Sequence, residues 1–186
     1  IQQNAYRKMA GNAAALRRAI RAEAAAQASL KRRIDALVAQ QYQGGGIPSQ
    51  YNGSLRWPLA GVITQEFGCT GFSWEPRSGN CANYHNGIDI AAPMYTPIRA
   101  AGPGRVVFTG PLSDGAWIVI IAHSENLLTW YAHVDAYRHR IAVRAGQQVS
   151  AGQVIAYVGM TGRTTGPHLH WMVELNGSFV NPRLFL

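Results

Sequence analysis

The sequence predicts an all-β domain, an antiparallel sheet or sandwich, that follows a long α-helix of the coiled-coil type. Three observations support this fold class. Residues 1–43 are rich in Ala and contain one Gly and no Pro, whereas residues 55–186 contain short apolar runs separated by Gly and Pro. The chain has 186 residues, of which 47% are hydrophobic, so one domain with a sizeable core and an appendage is expected. This composition excludes an acidic or disordered polymer.

The first segment carries a heptad-like pattern. Mostly apolar side chains occupy positions spaced alternately by three and four residues: Tyr6, Met9, Ala13, Leu16, Ile20, Glu23, Gln27, Leu30, Ile34, Leu37 and Gln41. This period predicts a helix that supercoils left-handedly with a partner helix, although the polar pair Glu23 and Gln27 interrupts the pattern. A single helix whose Leu and Ile side chains pack on the chain's own domain is the alternative.

Most of the positive charge lies in this helical segment. The chain carries 17 Lys and Arg against 9 Asp and Glu, a formal net charge of +8, and residues 1–43 hold eight of the basic and two of the acidic side chains. The rest of the chain is therefore nearly neutral. Because no base-reading motif accompanies the basic side chains, we expect no specific nucleic-acid partner. We favour an anionic surface, a partner helix or a membrane-associated protein as the partner of the helix.

A Gly-rich segment, residues 44–54, predicts a flexible linker between the helix and the β-domain of residues 55–186. Within the domain, the apolar runs are rich in β-branched and aromatic residues, which favours strands. The runs are residues 62–64, 88–90, 98–100, 105–109, 117–122, 127–132, 154–158 and 168–175. No run of about 18 apolar residues is present, so we expect no transmembrane segment in this chain.

Two groups of polar residues in this domain have the spacing of metal ligands. In a strand, side chains two residues apart share a face, so His168 and His170 point the same way while Leu169 faces the core. His85 and Asp89 similarly lie on one side of a second β-segment. One carboxylate and two imidazoles supply three ligands and leave a fourth position for water, as in catalytic zinc sites. The spacing leaves open which of His168 and His170 binds the metal.

A third motif lies between these two groups in the chain. In chain order the motifs are His85 and Asp89 with the flanking run Gly87-Ile88-Asp89-Ile90-Ala91-Ala92-Pro93, then Tyr131-Ala132-His133, then Thr165-Gly166-Pro167-His168-Leu169-His170. Together they resemble the lysostaphin-type, or LytM-domain, zinc metallopeptidases. The resemblance covers residues 55–186 and rests on three ordered motifs with their flanking glycines.

The resemblance implies a LytM-like β-domain that uses zinc and a metal-activated water to hydrolyse the peptide cross-links of bacterial peptidoglycan. By position in the motifs, it implies that His85, Asp89 and His170 are the zinc ligands. His133 and His168 are then the catalytic residues, which orient or deprotonate the water and stabilise the oxyanion. The sequence leaves open whether a glycyl bridge, a direct cross-link between D-amino acids or an ordinary peptide is cleaved.

Two other functions stay open for a domain of this type. It could be a non-catalytic LytM-type domain that activates a cell-wall amidase, or a structural or assembly module. Related domains of the activating kind have lost metal ligands, whereas all five motif positions are filled here. The filled positions favour the enzyme.

The two cysteines, Cys69 and Cys81, lie 12 residues apart in a loop just before His85. This spacing matches neither a zinc knuckle nor a thioredoxin-like motif, so we expect a disulfide and, with it, an oxidising compartment. The resemblance also implies an extracytoplasmic protein, secreted, periplasmic or bound to the cell envelope. No signal segment is visible, and we expect it to be missing from these residues. The aromatic residues Phe72, Trp74 and Tyr84 of this loop region are expected to line the substrate groove.

The other histidines and the partners of the site complete the expectations. We expect His123 to lie at the surface or to cap a turn, and His139 to belong to a solvated basic face. The imidazoles of the site need hydrogen-bond partners, and Asn86, Thr165 and Glu174 are the candidates.

Overall fold

A computed structural model of the chain describes residues 2–43, 45, 47–73 and 75–186. It comprises two compact units, Ile1–Ala36 and Leu37–Leu186. Two glycines of the predicted linker, Gly44 and Gly46, and the predicted groove residue Trp74 lie outside the described residues.

The first element is α1, Gln2–Gln43, which is rich in Ala and lacks Pro. Ala favours a helix because it loses little conformational freedom there, and a segment without Pro keeps every backbone N–H available for hydrogen bonds. On its surface, Lys31 Nζ lies 3.1 Å from Asp35 Oδ1, one helical turn away. Pairing of α1 with a second helix stays a prediction. No helix in the described part of the chain is long and apolar enough to span a membrane.

Among the described residues, twelve strands and one 3₁₀-helix follow α1. They are β1 (Val62–Gln65), β2 (Gly68–Cys69), β3 (Tyr84–His85), β4 (Ile88–Ala91), β5 (Pro97–Arg99), β6 (Gly104–Pro111), β7 (Trp117–Ala122), β8 (Leu127–Ala132), β9 (Gln148–Val149), β10 (Val154–Tyr157), β11 (His168–Leu175), β12 (Ser178–Val180) and the 3₁₀-helix Pro182–Phe185. The predicted antiparallel β-domain is confirmed, since each of the apolar runs overlaps a strand. The two-residue strands β2, β3 and β9 carry too short a pattern to be found in this way.

The main sheet has eight strands in the order β1-β4-β11-β8-β7-β6-β9, with β12 paired to β11. Every pairing is antiparallel. Two small two-stranded sheets, β10-β5 and β2-β3, accompany it. The central strand β11 places His170 opposite Asp89 of β4 and opposite Ala132 of β8. The motifs found in the sequence therefore meet on three neighbouring strands.

Alternation along β11 separates the core from the site. Leu169, Trp171 and Val173 are fully buried in the main apolar cluster, together with Ile88 and Ile90 of β4. His168 and His170 alternate with these residues and line a cleft on the opposite face of the sheet. Burial of large apolar side chains on one face thus fixes the register that presents the histidines on the other.

Of the two positions expected for His123, the one at the surface is wrong. This side chain is 1% exposed, and its Nδ1–H donates to the Pro103 carbonyl oxygen at 2.7 Å. Its Nε2 lies 2.8 Å from the Thr129 hydroxyl, which in turn lies 2.9 Å from the Tyr131 hydroxyl. The ring of Tyr51 packs over His123 at a centroid distance of 5.4 Å. The fold therefore buries a series of hydrogen-bonded polar side chains, and two of the residues that enclose His123, Pro103 and Tyr51, lie far from it in the sequence.

Because of this burial, we expect the stability of the protein to fall in acid. Burial lowers the pKa of His123 to about 4, although the Pro103 carbonyl opposes the shift. The unfolded chain binds the proton below pH ~6.5 and the folded chain only below about 4, so acid favours unfolding across that window. The loss from this residue is about 3 kcal/mol on going from neutral pH to about pH 4.

Urea denaturation of the wild type and of His123→Gln at both pH values measures this effect. The variant is less stable at neutral pH, but it should lose less stability than the wild type on acidification, since the other titrating groups are common to both proteins. An equal loss in the two proteins would contradict the assignment to His123.

Candidate metal centre and active site

The three predicted metal ligands lie together. His85 ends β3, Asp89 lies in β4, and the two-residue turn between these strands contains Gly87. A Cβ atom at Gly87 would lie 2.6 Å from the Trp171 carbonyl oxygen and 2.8 Å from His170 Cε1. Glycine therefore allows the turn to lie directly against β11, which brings His85 next to His170.

Three side-chain atoms of this group converge on one point. His170 Nδ1 lies 2.7 Å from Asp89 Oδ1 and 2.9 Å from His85 Nε2, and His85 Nε2 lies 3.1 Å from Asp89 Oδ1. The remaining nitrogen of each ring is held by another acceptor. His85 Nδ1 lies 3.0 Å from the Glu66 carbonyl oxygen, and His170 Nε2 lies 3.0 Å from Asn86 Oδ1.

The donor set fits a divalent metal ion. Because each imidazole donates its proton to its outer partner, His85 Nε2 and His170 Nδ1 are left with lone pairs directed at each other and at the Asp89 carboxylate. A cation is the species that satisfies three converging acceptors. Two imidazole nitrogens and one carboxylate oxygen, with no thiolate, suit zinc, and three protein ligands leave a further position for water.

Burial and charge oppose each other within the group. Burial raises the pKa of Asp89, but the hydrogen bonds and positive charge that the His170 and His85 rings supply when protonated outweigh it and hold the pKa well below its ordinary value. Burial lowers the pKa of His170. For His85, burial also acts to lower the pKa, but the hydrogen bond and charge of Asp89 outweigh it and raise the pKa overall. The carboxylate is therefore ionised, as metal binding requires.

The two predicted catalytic histidines lie beside the ligand group. The ring centroids of His133 and His168 are 4.8 Å apart, and those of His133 and His170 are 6.0 Å apart. His168 Nε2 lies 3.7 Å from Asp89 Oδ2. His133 has a left-handed φ of 62°, a conformation that costs a non-glycine residue about 1 kcal/mol and is typical of functional sites. The structure thus brings all five predicted histidine and aspartate positions into one cleft.

Backbone carbonyls orient both of these rings. His133 Nδ1 lies 2.8 Å from the Thr161 carbonyl oxygen, and His168 Nδ1 lies 2.8 Å from the Gly166 carbonyl oxygen. Nδ1 therefore carries the proton in each ring, and Nε2 keeps its lone pair. Burial lowers the pKa of His133 to about 4, and the neighbouring His170 and His168 lower it further against the pull of the Thr161 carbonyl. His133 is therefore neutral near pH 7.

The predicted partners of the imidazoles are found in part. Asn86 holds His170 as expected, whereas Glu174 accepts a hydrogen bond from Trp130 Nε1 at 3.0 Å. In place of the predicted partner Thr165, the neighbouring residue Thr164 contacts an imidazole of the site. Its Oγ1 lies 3.1 Å from His168 Nδ1. The backbone carbonyls that orient three of the four rings were missed, because side-chain motifs carry no signal for a main-chain acceptor.

The cleft has a volume of about 880 Å³. Its floor is the outer face of β11 and β8, with His170, Met172 and Ala132, and three loops form its walls. These walls are residues 75–78, residues 112–116 and residues 163–165. The cleft is therefore large enough to hold a segment of peptide beside the His85, Asp89 and His170 group.

Cys69 and Cys81 form a disulfide that closes the first of these walls, with a Cα–Cα distance of 5.2 Å. Ser78 and Cys81 exchange two backbone hydrogen bonds, and Tyr84 N–H donates to the Pro76 carbonyl oxygen at 2.9 Å. Tyr84, which immediately precedes His85, lines the cleft as predicted, whereas Phe72 is 41% exposed. The disulfide loop is therefore tied to the strand that carries a predicted metal ligand.

Replacing both cysteines with serine should destabilise the domain. A disulfide that closes a loop of this size contributes about 2 to 4 kcal/mol by restricting the unfolded chain. We expect a matching decrease in the free energy of unfolding, measured by urea denaturation of the oxidised wild type and the Cys69→Ser/Cys81→Ser variant. Reducing agent should lower the stability of the wild type to that of the variant and leave the variant unchanged. Equal stability of all samples would contradict this contribution.

An antiparallel β-domain with two imidazoles and a carboxylate converging on one point, and two further histidines beside them, has the make-up of a metallohydrolase. Residues 83–182 match the model of peptidase family M23, and the chain belongs to this family. The predicted resemblance to lysostaphin-type, LytM-domain peptidases is thereby confirmed.

The relatives that match this domain include a protein named as a peptidase and a protein named as a hydrolase activator. The chain is 44% identical over 98 residues to the DD-carboxypeptidase/endopeptidase Mpg of Neisseria meningitidis. The aligned region covers 53% of this chain and 22% of that protein. It is 37% identical over 132 residues to the murein hydrolase activator NlpD of Escherichia coli. This aligned region covers 70% of this chain and 31% of that protein. The chain thus spans between a fifth and a third of the length of these curated relatives.

The fold matches a solved structure described as a zinc-containing peptidase from Vibrio cholerae. The TM-score is 0.60 at 31% sequence identity, over 71% of this chain and 40% of that one.

Proposed function

We propose that this protein is a zinc-dependent endopeptidase that hydrolyses peptide cross-links of bacterial peptidoglycan. The observation that carries the proposal is the convergence of His85 Nε2, His170 Nδ1 and Asp89 Oδ1 beside the His133 and His168 pair. The name of the relative Mpg, a DD-carboxypeptidase/endopeptidase, supports the type of reaction, and that of NlpD, a murein hydrolase activator, supports a role at peptidoglycan. A site that only held the fold together would not need an open cleft or two additional oriented imidazoles.

Each residue of the site has a role in this proposal. His85, Asp89 and His170 would hold the zinc ion, and Asn86 and the Glu66 carbonyl orient the two imidazoles for that role. Bound there, zinc would act as a Lewis acid on the scissile carbonyl and lower the pKa of water toward neutrality.

His133 and His168 move protons in the reaction. Each ring carries its proton on Nδ1, where a backbone carbonyl fixes it, so Nε2 accepts a proton from the attacking water. The protonated ring then donates to the oxygen of the former carbonyl or to the leaving amine. Because the two ring centroids are 4.8 Å apart, one imidazole can accept the proton of the water, while the other, when its Nε2 is protonated, donates to the developing negative charge and stabilises it.

Activation of a separate cell-wall hydrolase is the second candidate function. The relative NlpD, a murein hydrolase activator, matches 70% of this chain, a larger share than the 53% matched by Mpg. In that case the cleft would hold a segment of the partner enzyme instead of a substrate peptide. The same domain could also serve as an assembly module within a larger cell-envelope structure.

One experiment separates the two functions. Purified zinc-loaded protein is incubated with isolated peptidoglycan, alone and with a cell-wall amidase, and the soluble fragments are quantified. An endopeptidase releases fragments alone, loses this activity with a chelator and regains it with zinc. An activator releases nothing alone and raises the rate of the amidase. Absence of release in both arms would contradict both functions.

We further propose an extracytoplasmic location, where peptidoglycan lies and where the Cys69–Cys81 disulfide is stable. The name of the relative NlpD, a murein hydrolase activator, supports the same compartment. The basic helical segment would then contact an anionic cell-wall or membrane surface, a partner helix or a membrane-associated protein.

A further inference from the structure

Charge is segregated within the β-domain. Residues 90–113 and 136–162 hold five Arg and no Asp or Glu, although the domain as a whole is nearly neutral. Four of these arginines are exposed and one, Arg105, is half-buried. We call the surface that they form the basic face, and its members are Arg99, Arg105, Arg138, Arg140 and Arg144. The acidic side chains of the domain all lie in other segments.

Hydrogen bonds hold the segments of the basic face side by side. The loop of residues 136–147 follows β10, because Ala142 N–H donates to the Ile155 carbonyl oxygen at 2.9 Å. Strand β10 in turn pairs with β5. At the end of the loop, Arg105 Nη1 of β6 donates to the Gly146 carbonyl oxygen at 2.9 Å. The arginines therefore belong to neighbouring segments of one contiguous region.

The beginning of the loop is fixed by a buried carboxylate. Asp135 accepts hydrogen bonds from the backbone N–H groups of Tyr137, Arg138 and His139, at 3.1, 3.3 and 2.6 Å. The Arg138 guanidinium lies 4.9 Å from the centroid of the Tyr95 ring. Next to it, the side chain of Tyr137 is 83% exposed. A preformed turn thus presents an aromatic ring beside arginines.

No ion pair of the described residues includes an arginine of the basic face. Asp135 immediately precedes the loop, but it is buried and its oxygens accept the backbone hydrogen bonds of the turn. Like charges that lie together without counter-charges repel one another, and an anionic partner relieves this repulsion. No arginine of the basic face lines the cleft, so the basic face is a surface separate from the candidate active site.

We propose that the basic face binds the surface of a membrane that contains anionic phospholipids. The guanidinium groups donate hydrogen bonds to the lipid phosphates. Tyr137 enters the boundary between headgroups and acyl chains, where an aromatic ring with a polar hydroxyl is favoured. This residue favours a membrane over a soluble anionic polymer, which carries charge but has no apolar interior. The inference goes beyond the proposed peptidase function and does not depend on it.

Sedimentation of the full chain with lipid vesicles tests the proposal. The vesicles consist of phosphatidylcholine alone or of an equal mixture with phosphatidylglycerol. We expect the wild type to bind the mixed vesicles much more tightly than the neutral ones. Arg138→Gln/Arg140→Gln should weaken this binding by about tenfold or more, because each basic side chain near an anionic membrane adds to the attraction. Tyr137→Ser should weaken it as well, and Tyr137→Phe should keep most of it.

A matched variant controls for net charge. Arg77→Gln/Arg163→Gln removes the same charge from two exposed arginines of the cleft walls and should bind the mixed vesicles like the wild type. Thermal unfolding checks that both double variants are folded. Arg138→Gln/Arg140→Gln should also hydrolyse a soluble cross-linked peptide at the wild-type rate, since neither residue lines the cleft.

Three outcomes would overturn the proposal. They are equal binding of the two kinds of vesicle by the wild type, full retention of binding by Arg138→Gln/Arg140→Gln, and equal losses in the two double variants. Binding of soluble polyphosphate without a preference for phosphatidylglycerol would assign the basic face to an anionic polymer and would also overturn it. A wild type that binds mixed vesicles through the basic face but hydrolyses no peptide would support this proposal and contradict the peptidase function.

Discussion

Replacing His170 with alanine should remove both the bound zinc and the hydrolytic activity. The residue supplies one of the three converging ligand atoms, at 2.7 Å from Asp89 Oδ1 and 2.9 Å from His85 Nε2. Two remaining ligands cannot hold zinc at the affinity of three. Since Lewis-acid catalysis contributes several kcal/mol, we expect the rate of peptidoglycan hydrolysis to fall by at least about 1000-fold. Metal analysis after gel filtration and quantification of released fragments measure the two losses.

Two further variants make this result specific. His85→Ala removes a ligand atom from a different strand and should give the same two losses. His139→Ala changes an imidazole whose ring packs between Tyr95 and Tyr157, away from the cleft, and should keep zinc and activity. Thermal unfolding of all three variants checks that they are folded. Wild-type zinc content or activity in folded His170→Ala would contradict the assigned ligand set.

Replacing His168 with alanine should remove activity and leave the zinc in place. His168 Nε2 lies 3.7 Å from Asp89 Oδ2, beside the ligand group, and its Nδ1 is occupied by the Gly166 carbonyl oxygen. Because positioned proton transfer accelerates reactions by about 10²- to 10⁴-fold, we expect kcat to decrease by that range while the zinc content stays at the wild-type value. His133→Ala should act in the same way.

The separation of zinc binding from activity is the discriminating result here. Steady-state kinetics on a cross-linked peptide give kcat, and metal analysis of the same samples gives the zinc content. The double variant His133→Ala/His168→Ala should lose less than the product of the single effects, since the two rings act in one reaction. Loss of zinc in the single variants would make these residues ligands, and unchanged kcat would remove them from the proton transfer.

The sequence predicted the arrangement of the site where strand periodicity governs it. Alternation along β11 places His168 and His170 on one face and Leu169 in the core, and the antiparallel register sets His170 opposite Asp89. The resemblance supplied the assignment of His170 as the ligand, which the spacing left open. The structure places His170 Nδ1 with the other two ligand atoms and His168 beside them.

Long-range contacts account for what the sequence could not predict. His123 follows an apolar strand, and nothing near it in the chain indicates that Pro103, Thr129 and Tyr51 enclose it. The carbonyls of Glu66, Thr161 and Gly166 orient the histidines through main-chain atoms that every residue carries. Such contacts depend on where loops return to the sheet, and residue type does not encode them.

The central claim is that water, activated at this site, cleaves a peptide cross-link. Its most direct test is mass spectrometry of purified cross-linked peptidoglycan dimers incubated in ¹⁸O-labelled water with zinc-loaded wild type or with His168→Ala. We predict that the wild type converts dimers to monomers, with one ¹⁸O atom in the new carboxyl group and a free amine on the other product. His168→Ala should leave the dimers largely intact. Dimers that survive incubation with the wild type, or monomers that carry no label, would contradict the claim.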